Sequence, residues 1–206
     1  MALFLKIHPD NPSEKNVKKV VEIISNGGIA IYPTDSVYGL GTGISNKRGM
    51  ERIALIKGIK RKEAEFSLIF SRLEQLVDYT LPMSKTVFRI LKKNLPGPFT
   101  FILRANHRLP KLLENSRKTV GIRIPDNNVL RAIIDDLGEP LVNTSVEVFE
   151  GILKYTTDPE LIYEKYKDLV DVIVNGGDGN LEPSTVVDLT DEEPIIIREG
   201  KGILQY

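Results

Sequence analysis

Residues 30–41 read AIYPTDSVYGLG, and the stretch changes character in the middle. Its first three residues are apolar and β-prone, as in a core strand, and a proline ends that pattern. Thr34, Asp35 and Ser36 then place two hydroxyls and a carboxylate at the strand end, and Tyr38 follows before a glycine. Folding alone needs only ordinary turn residues here, so the cluster raises the question of what else these side chains do.

The composition is that of a folded globular protein. With 206 residues, 41% hydrophobic and 27% charged, the chain predicts one domain over residues 1–206 whose core spans about residues 13–200. The absence of cysteine excludes disulfides, thiol nucleophiles and zinc–thiolate sites. No apolar run approaches the roughly 20 residues that span a bilayer, and no signal peptide begins the sequence. We therefore expect a cytoplasmic protein with no membrane partner.

Basic residues concentrate in one part of the chain, although the net charge is zero. Residues 81–125 contain ten lysines and arginines against Glu114 alone, whereas residues 126–200 contain eighteen acidic and five basic residues. If the basic segment forms a face or lines a cleft, it attracts polyanions such as a nucleoside triphosphate or RNA. The competing interpretation is a solvated helix surface over residues 85–93.

Helical patterns alternate with short strand patterns almost to the end of the chain. FTFILRA and TVGIRIP read as neighbouring strands, and the tail contains three strand-like runs joined only by loops. Such a tail cannot be built from βαβ units alone. We therefore predict an α/β fold with a mixed sheet that contains antiparallel pairs.

Several familiar catalytic motifs are absent. GLGTG at residues 39–43 lacks the third glycine of G-x-G-x-x-G, and there is no P-loop sequence. His8 and His107 have no metal-ligand neighbours at a useful spacing, so we expect both to be structural. The sequence also lacks the G-x-S-x-G of α/β-hydrolases.

Hydroxyls and arginines remain, and they fall at strand ends. They are Ser36, Arg123, Thr144, Ser145, Ser184, Thr185 and Arg198. Strand ends that are distant in sequence can converge at a sheet edge, where open α/β sheets bind ligands. A guanidinium offers a fixed fork of donors to a carboxylate or phosphate, and a hydroxyl adds one adaptable donor. The set predicts an anion site, although each hydroxyl alone also fits ordinary turn chemistry.

PTDSVYGLG resembles the P-T-[DE]-[TS]-x-Y-G-L signature of the YrdC/YciO superfamily, the threonylcarbamoyl-AMP synthases. Later blocks of that family are matched in the same order by LPGPFTFIL, VGIRIP, the Thr144-Ser145 pair, PSTVVDL and IIIREG. IHPDNPS and KGIKRKEAEFSLI look closest to the YciO branch. The resemblance covers nearly the whole chain and implies a single-domain, YrdC-like twisted mixed β-sheet with flanking helices and a basic concave surface.

The family activity implied by this resemblance joins L-threonine, bicarbonate and ATP into threonylcarbamoyl-AMP and pyrophosphate. The product serves the threonylcarbamoyladenosine modification of tRNA, so protein partners of that pathway are implied as well. Mg²⁺ would be held mostly through the triphosphate and water, without a dedicated metal site on the protein.

The resemblance also assigns residues to roles. Those that would bind threonine are Thr34, Ser36, Tyr38, Arg123 and Ser184. Those that would bind ATP are Lys57, Lys60, Lys62, Thr144, Ser145 and Arg198. Those that would act in catalysis are Lys57, Lys60 and Arg61.

Two positions depart from the family pattern. The K-x-R element reads Lys-Gly-Ile, with Lys57 in place and Ile59 where the arginine is expected. A second register puts Lys60 and Lys62 on the two basic positions, and both registers remain open. The S-x-N element ends in Glu147 instead of asparagine, and its carboxylate would repel a triphosphate unless a metal or a lysine compensates.

Two other functions are compatible with the sequence. One is a non-catalytic protein that binds double-stranded RNA, tRNA or a nucleotide and keeps a vestigial pocket. Against RNA, Phe88, Phe99 and Phe101 lie at core-like spacing, so no exposed platform for stacking bases is predicted. The other is a regulatory protein that senses a nucleotide or an amino acid.

Overall fold

The computed structural model of the chain describes residues 1–58, 66–111, 113, 115–147 and 157–206. Its strands are β1 (Leu3–Lys6), β2 (Ala30–Tyr32), β3 (Gly39–Gly43), β4 (Ser67–Ile69), β5 (Phe99–Arg104), β6 (Thr119–Arg123), β7 (Leu141–Ser145), β8 (Val172–Asn175), β9 (Thr185–Asp188) and β10 (Ile195–Arg198). Its helices are α1 (Glu14–Ser25), α2 (Lys47–Ile56), α3 (Lys85–Asn94), α4 (Asn128–Leu137), α5 (Pro159–Tyr166) and a 3₁₀ helix (Leu73–Asp78).

The strands form one ten-stranded sheet in the order β1-β8-β2-β3-β7-β4-β6-β5-β9-β10. Parallel pairs are β1/β8, β2/β8, β4/β6 and β5/β9. Antiparallel pairs are β2/β3, β3/β7, β4/β7, β5/β6 and β9/β10. The predicted mixed α/β architecture, including the antiparallel neighbours β5 and β6, is confirmed.

Helices cover both faces of the sheet. On one face, α3 packs in a core cluster with β4, β5, β6 and β7, while α2 and α5 pack with β2, β3 and β8. On the other face, α1 and α4 cover β2, β8, the last residue of β4 and the first residue of β7. The rest of this second face, where Ser67, Gly121 and Asn143 lie side by side in register, is called the site face below.

The segment GLGTG forms a strand, which the sequence patterns did not predict. Gly39 and Gly41 face Tyr32, whose fully buried ring lies across β3, whereas Gly43 faces Glu139 and Ile24. An added Cβ on Gly39 would lie 2.5 Å from Cε2 of Tyr32 and closer still to Oδ1 of Asn143. The glycines therefore make room for side chains of neighbouring strands and do not form a phosphate loop.

The substitution Gly39→Ala tests this packing. The new methyl group must displace the Tyr32 ring, so the free energy of unfolding should fall by about 1–3 kcal/mol in urea denaturation. In a Tyr32→Ala background the same substitution should cost less, because the obstructing ring is gone. An equal cost in both backgrounds would contradict the proposed clash.

Candidate functional site

The elbow loop, residues 33–38, joins β2 to β3 and is held by its own hydroxyls. Thr34 Oγ1 accepts a hydrogen bond from the backbone N–H of Ser36 at 3.0 Å and donates to the carbonyl of Val37 at 2.8 Å. Both hydroxyl residues are buried, and Ser36 is 0% exposed. The polar cluster noted in the sequence thus lies inside the molecule, in a fixed turn.

Arg123, at the end of β6, binds the elbow loop to the sheet. Its Nη2 donates to Ser36 Oγ at 2.8 Å and to Asp35 Oδ1 at 3.2 Å. The other carboxylate oxygen of Asp35 accepts the backbone N–H of Asp126 at 2.9 Å. The loop is thereby folded back across the site face, which brings Ser36 and Arg123 together as the sequence predicted.

The Arg123–Asp35 ion pair is buried. Burial raises the pKa of Asp35 and lowers the pKa of Arg123, and the attraction between the two groups opposes both shifts. The positive charge of Arg198 lowers the pKa of Arg123 further, so the two guanidiniums are electrostatically coupled. Nε of Arg123, which is only 3% exposed, has no hydrogen-bond partner among the described residues. Such a donor is costly to bury and suits an oxygen atom of a ligand.

Ser184 and Arg198 form a second contact beside this pair. Nη2 of Arg198 donates to the carbonyl of Ser184 at 2.7 Å and to its Oγ at 3.3 Å. The Ser184 hydroxyl also lies 2.8 Å from Thr100 Oγ1 on β5. Two predicted site residues therefore meet here, next to the Arg123 charge.

A row of polar side chains crosses the site face, and sequence reasoning missed it. Tyr32 donates from its hydroxyl to Asn143 Oδ1 at 3.1 Å, and Asn143 Nδ2 donates to Ser67 Oγ at 3.2 Å. A Cβ on Gly121, the next position in register, would contact both Ser67 and Thr100. Asn143 in the otherwise apolar strand segment PLVN was the available signal, since a buried amide needs partners.

Lys57 and Glu147 meet at the C-terminal end of β7. Nζ of Lys57 donates to the carbonyl of Ser145 at 3.1 Å and lies 2.9 Å from Glu147 Oε1. The carbonyl of Tyr38 accepts the backbone N–H of Val146 at 2.9 Å, so this group adjoins the elbow loop. A lysine thus compensates the carboxylate that departs from the family pattern.

Thr144 has the opposite orientation from its neighbours. Side chains alternate along a strand, so Thr144 faces away from Asn143 and Ser145. It lies opposite Leu40 of β3, which packs in the cluster of α2 and α5. The predicted ATP-binding residues Ser145 and Thr144 are therefore on different faces of the sheet.

Further residues hold the elbow loop from outside. The Tyr38 hydroxyl donates to the carbonyl of Gly177 at 2.7 Å, and burial raises the pKa of Tyr38 to about 12. Nζ of Lys201 donates to the carbonyl of Asp35 at 2.7 Å and to Asn180 Oδ1 at 3.1 Å. Lys201 and Asn180 were absent from the sequence prediction because loop residues gave no spacing signal.

The predicted residues Lys60, Arg61 and Lys62, and Ile59 beside them, lie outside the described residues.

Comparison with known proteins decides the family. The family model of the Sua5, YciO and YrdC proteins, described as Telomere recombination, matches residues 22–200. The chain belongs to the Sua5/YciO/YrdC family. The resemblance inferred from the elbow loop and the later blocks is confirmed.

The similarity of this chain to YciO extends over nearly its full length. YciO of Escherichia coli strain K12 is 40% identical over 203 residues, covering 98% of this chain and 97% of YciO. The crystal structure of E. coli YciO matches with a TM-score of 0.91 and covers 98% of both chains.

Two more distant structures share the fold. P. abyssi Sua5 complexed with L-threonine matches with a TM-score of 0.86 at 23% identity, covering 97% of this chain and 58% of Sua5. HypF in its phosphate- and nucleotide-bound form matches at 0.72 and 20% identity, covering 90% of this chain and 29% of HypF.

Two kinds of feature are absent from the described ranges. No helix there is long and apolar enough to cross a bilayer. The same ranges hold no group of three or more His, Cys, Asp or Glu side chains placed to bind a metal ion.

The substitution Asp35→Asn tests the buried ion pair. It removes the charge that compensates Arg123 but keeps the side-chain shape, so the free energy of unfolding should fall by about 3–5 kcal/mol in urea denaturation. The control is Asp126→Asn nearby, because the Asp126 side chain is 72% exposed in its pair with Arg131. This control should cost less than about 1 kcal/mol. Equal costs would show that the buried pair does not hold the elbow loop.

Proposed function

We propose that this chain binds L-threonine, bicarbonate and ATP and forms threonylcarbamoyl-AMP and pyrophosphate for the modification of tRNA. The proposal rests first on the unpaired, buried Nε of Arg123, beside the hydroxyl of Ser36 and the charge of Arg198. It is supported by the Sua5 structure, in which a protein of the same fold holds L-threonine, and by the nucleotide-bound HypF structure.

The threonine arm of the proposed site consists of the elbow loop and Arg123. A guanidinium fork matches a carboxylate, so Nε of Arg123 would donate to the carboxylate of threonine. Ser36 and Ser184 would add hydroxyl contacts, and Thr34 and Tyr38 would keep the loop in shape through the hydrogen bonds described above. Among the described residues the fold leaves this donor without a hydrogen-bond partner, so a carboxylate oxygen would satisfy it.

The nucleotide arm lies at the other end of the elbow loop. Nζ of Lys57 contacts the carbonyl of Ser145 there, whereas Arg198 would supply a second charge from the Arg123 side of the loop, beside Ser184. Thr144, which faces the α2 side of β7, would act through its backbone. Lys60, Arg61 and Lys62, which lie outside the described residues, are proposed as further contacts for the triphosphate. Magnesium that arrives with ATP would be held by the phosphates and water.

The proposed reaction needs alignment and charge neutralisation more than covalent catalysis. The amine of threonine and bicarbonate combine to a carbamate with loss of water. A carbamate oxygen then attacks the α-phosphorus of ATP, a new oxygen–phosphorus bond forms, and the bond to the β-phosphate oxygen breaks, releasing pyrophosphate. Arginine and lysine side chains that hold two anions side by side offset their repulsion.

Pyrophosphate release tests this function directly. The protein should release pyrophosphate only when threonine, bicarbonate and Mg-ATP are all present, and omission of any one should abolish release. Ser36→Ala should weaken threonine binding more than ATP binding in calorimetry, because Ser36 belongs to the threonine arm. Ser45→Ala, at an exposed position beyond the opposite end of β3 from the elbow loop, serves as the control. Release that ignores threonine would overturn the proposal.

A second prediction concerns the compensated carboxylate. Glu147→Gln removes the charged partner of Lys57 and leaves its contact with the Ser145 carbonyl. More of the lysine charge is then available to phosphate, so the Kd for ATP should fall about tenfold, equivalent to about 1.4 kcal/mol. Glu160→Gln, an exposed position on α5, is the matched control and should leave the Kd unchanged. An unchanged Kd for both variants would place Lys57 outside the nucleotide arm.

A further inference from the structure

The outer face of α3 carries a stripe of exposed side chains, Lys85, Phe88, Arg89 and Lys92, called the α3 stripe below. Spacings of three, four and seven residues put them on one side of the helix. The opposite side is buried in the core through Val87, Ile90 and Leu91. The helix contains no acidic residue, so the stripe presents three positive charges around one ring.

No carboxylate of the described residues pairs with the charges of the α3 stripe. In the part of the chain that the structure describes, its lysines and arginine make no ion pair, whereas Arg104 and Arg108 from the same basic segment pair with Asp191 at 2.9 Å and Asp78 at 2.8 Å. Like charges four residues apart disfavour a helix, as does a cation in its first turn. Lys92 suits the end of the helix, but Lys85 and Arg89 have no such structural explanation.

One aromatic ring lies exposed on the stripe, and a second lies exposed near the end of α3. Phe88, which the sequence pattern predicted to be in the core, is 48% exposed between Lys85 and Arg89. Tyr206 is 67% exposed and is brought to the end of α3 by Gln205, which exchanges hydrogen bonds with Asn94 at 2.8 and 2.9 Å. Rings flanked by cations form the usual platform for unpaired bases, which stack on the ring while their phosphates meet the charges.

We propose that the α3 stripe binds single-stranded nucleic acid, with Phe88 stacked on a base and Lys85, Arg89 and Lys92 on the phosphates. A lipid surface fits less well, because the apolar side of α3 is already buried in the core and leaves only one ring to insert. An acidic protein would use the charges but would not need the exposed rings. The stripe lies on the opposite face of the sheet from the elbow loop, so this binding is independent of the proposed synthase activity.

Fluorescence anisotropy with a short labelled single-stranded oligo(U) tests the proposal on the full chain. The triple variant Lys85→Gln/Arg89→Gln/Lys92→Gln should lose most of the affinity, and the slope of log K against log salt should become less negative by about 2. Phe88→Ala should weaken binding about tenfold, whereas Phe88→Trp should keep it. The control Lys15→Gln/Lys19→Gln/Lys47→Gln removes the same charge from exposed positions elsewhere and should bind like the unaltered protein.

Four results would each overturn the proposal. These are equal loss in the triple variant and its control, no effect of Phe88→Ala, tighter binding of a duplex than of oligo(U), and equal competition by polyglutamate. Vesicles of anionic lipid that bind through the same residues while oligo(U) does not would assign the surface to a membrane instead. Circular dichroism spectra of all variants establish that the helix is retained.

Discussion

One buried guanidinium holds the candidate site together. Arg123 is almost inaccessible to water, so its charge needs a counter-charge and its donors need partners. Asp35 supplies the charge, and Ser36 supplies an acceptor, which folds the elbow loop back across the sheet. Among the described residues this folding leaves Nε without a hydrogen-bond partner, so the residue that shapes the loop also keeps one unsatisfied donor.

The rest of the site is arranged around this loop by the order of the strands. β3 runs from the elbow loop back beside β7, so the loop's last residue, Tyr38, adjoins the segment that contains Ser145 and Glu147. Its first residues adjoin the end of β6. A loop of six residues therefore lies between the arginine on one side and Lys57 on the other. Lys57 pairs with the carboxylate of Glu147 and compensates its charge. The same pairing occupies the lysine charge.

The basic segment of the sequence is divided by the fold. Arg123 turns inward on the site face, Arg104 is paired with a carboxylate at the surface, and the cations of α3 point outward from the other face. A single count of charge along the chain therefore combines groups with different environments. On α3 the cations remain beside an exposed ring, and on the site face one cation is almost fully enclosed.

The sequence by itself determined most of the elements and the family, since both depend on local patterns. Apolar periodicity indicated the alternation of helices and strands, and the block PTDSVYGLG identified the elbow loop. Tertiary structure alone decided which groups meet. The strand GLGTG was not predicted, because Gly39 and Gly41 make room for the Tyr32 ring and that ring belongs to another strand. Likewise, the pairings Arg123–Asp35 and Lys57–Glu147 join residues some ninety positions apart, and no local pattern encodes a distance in space.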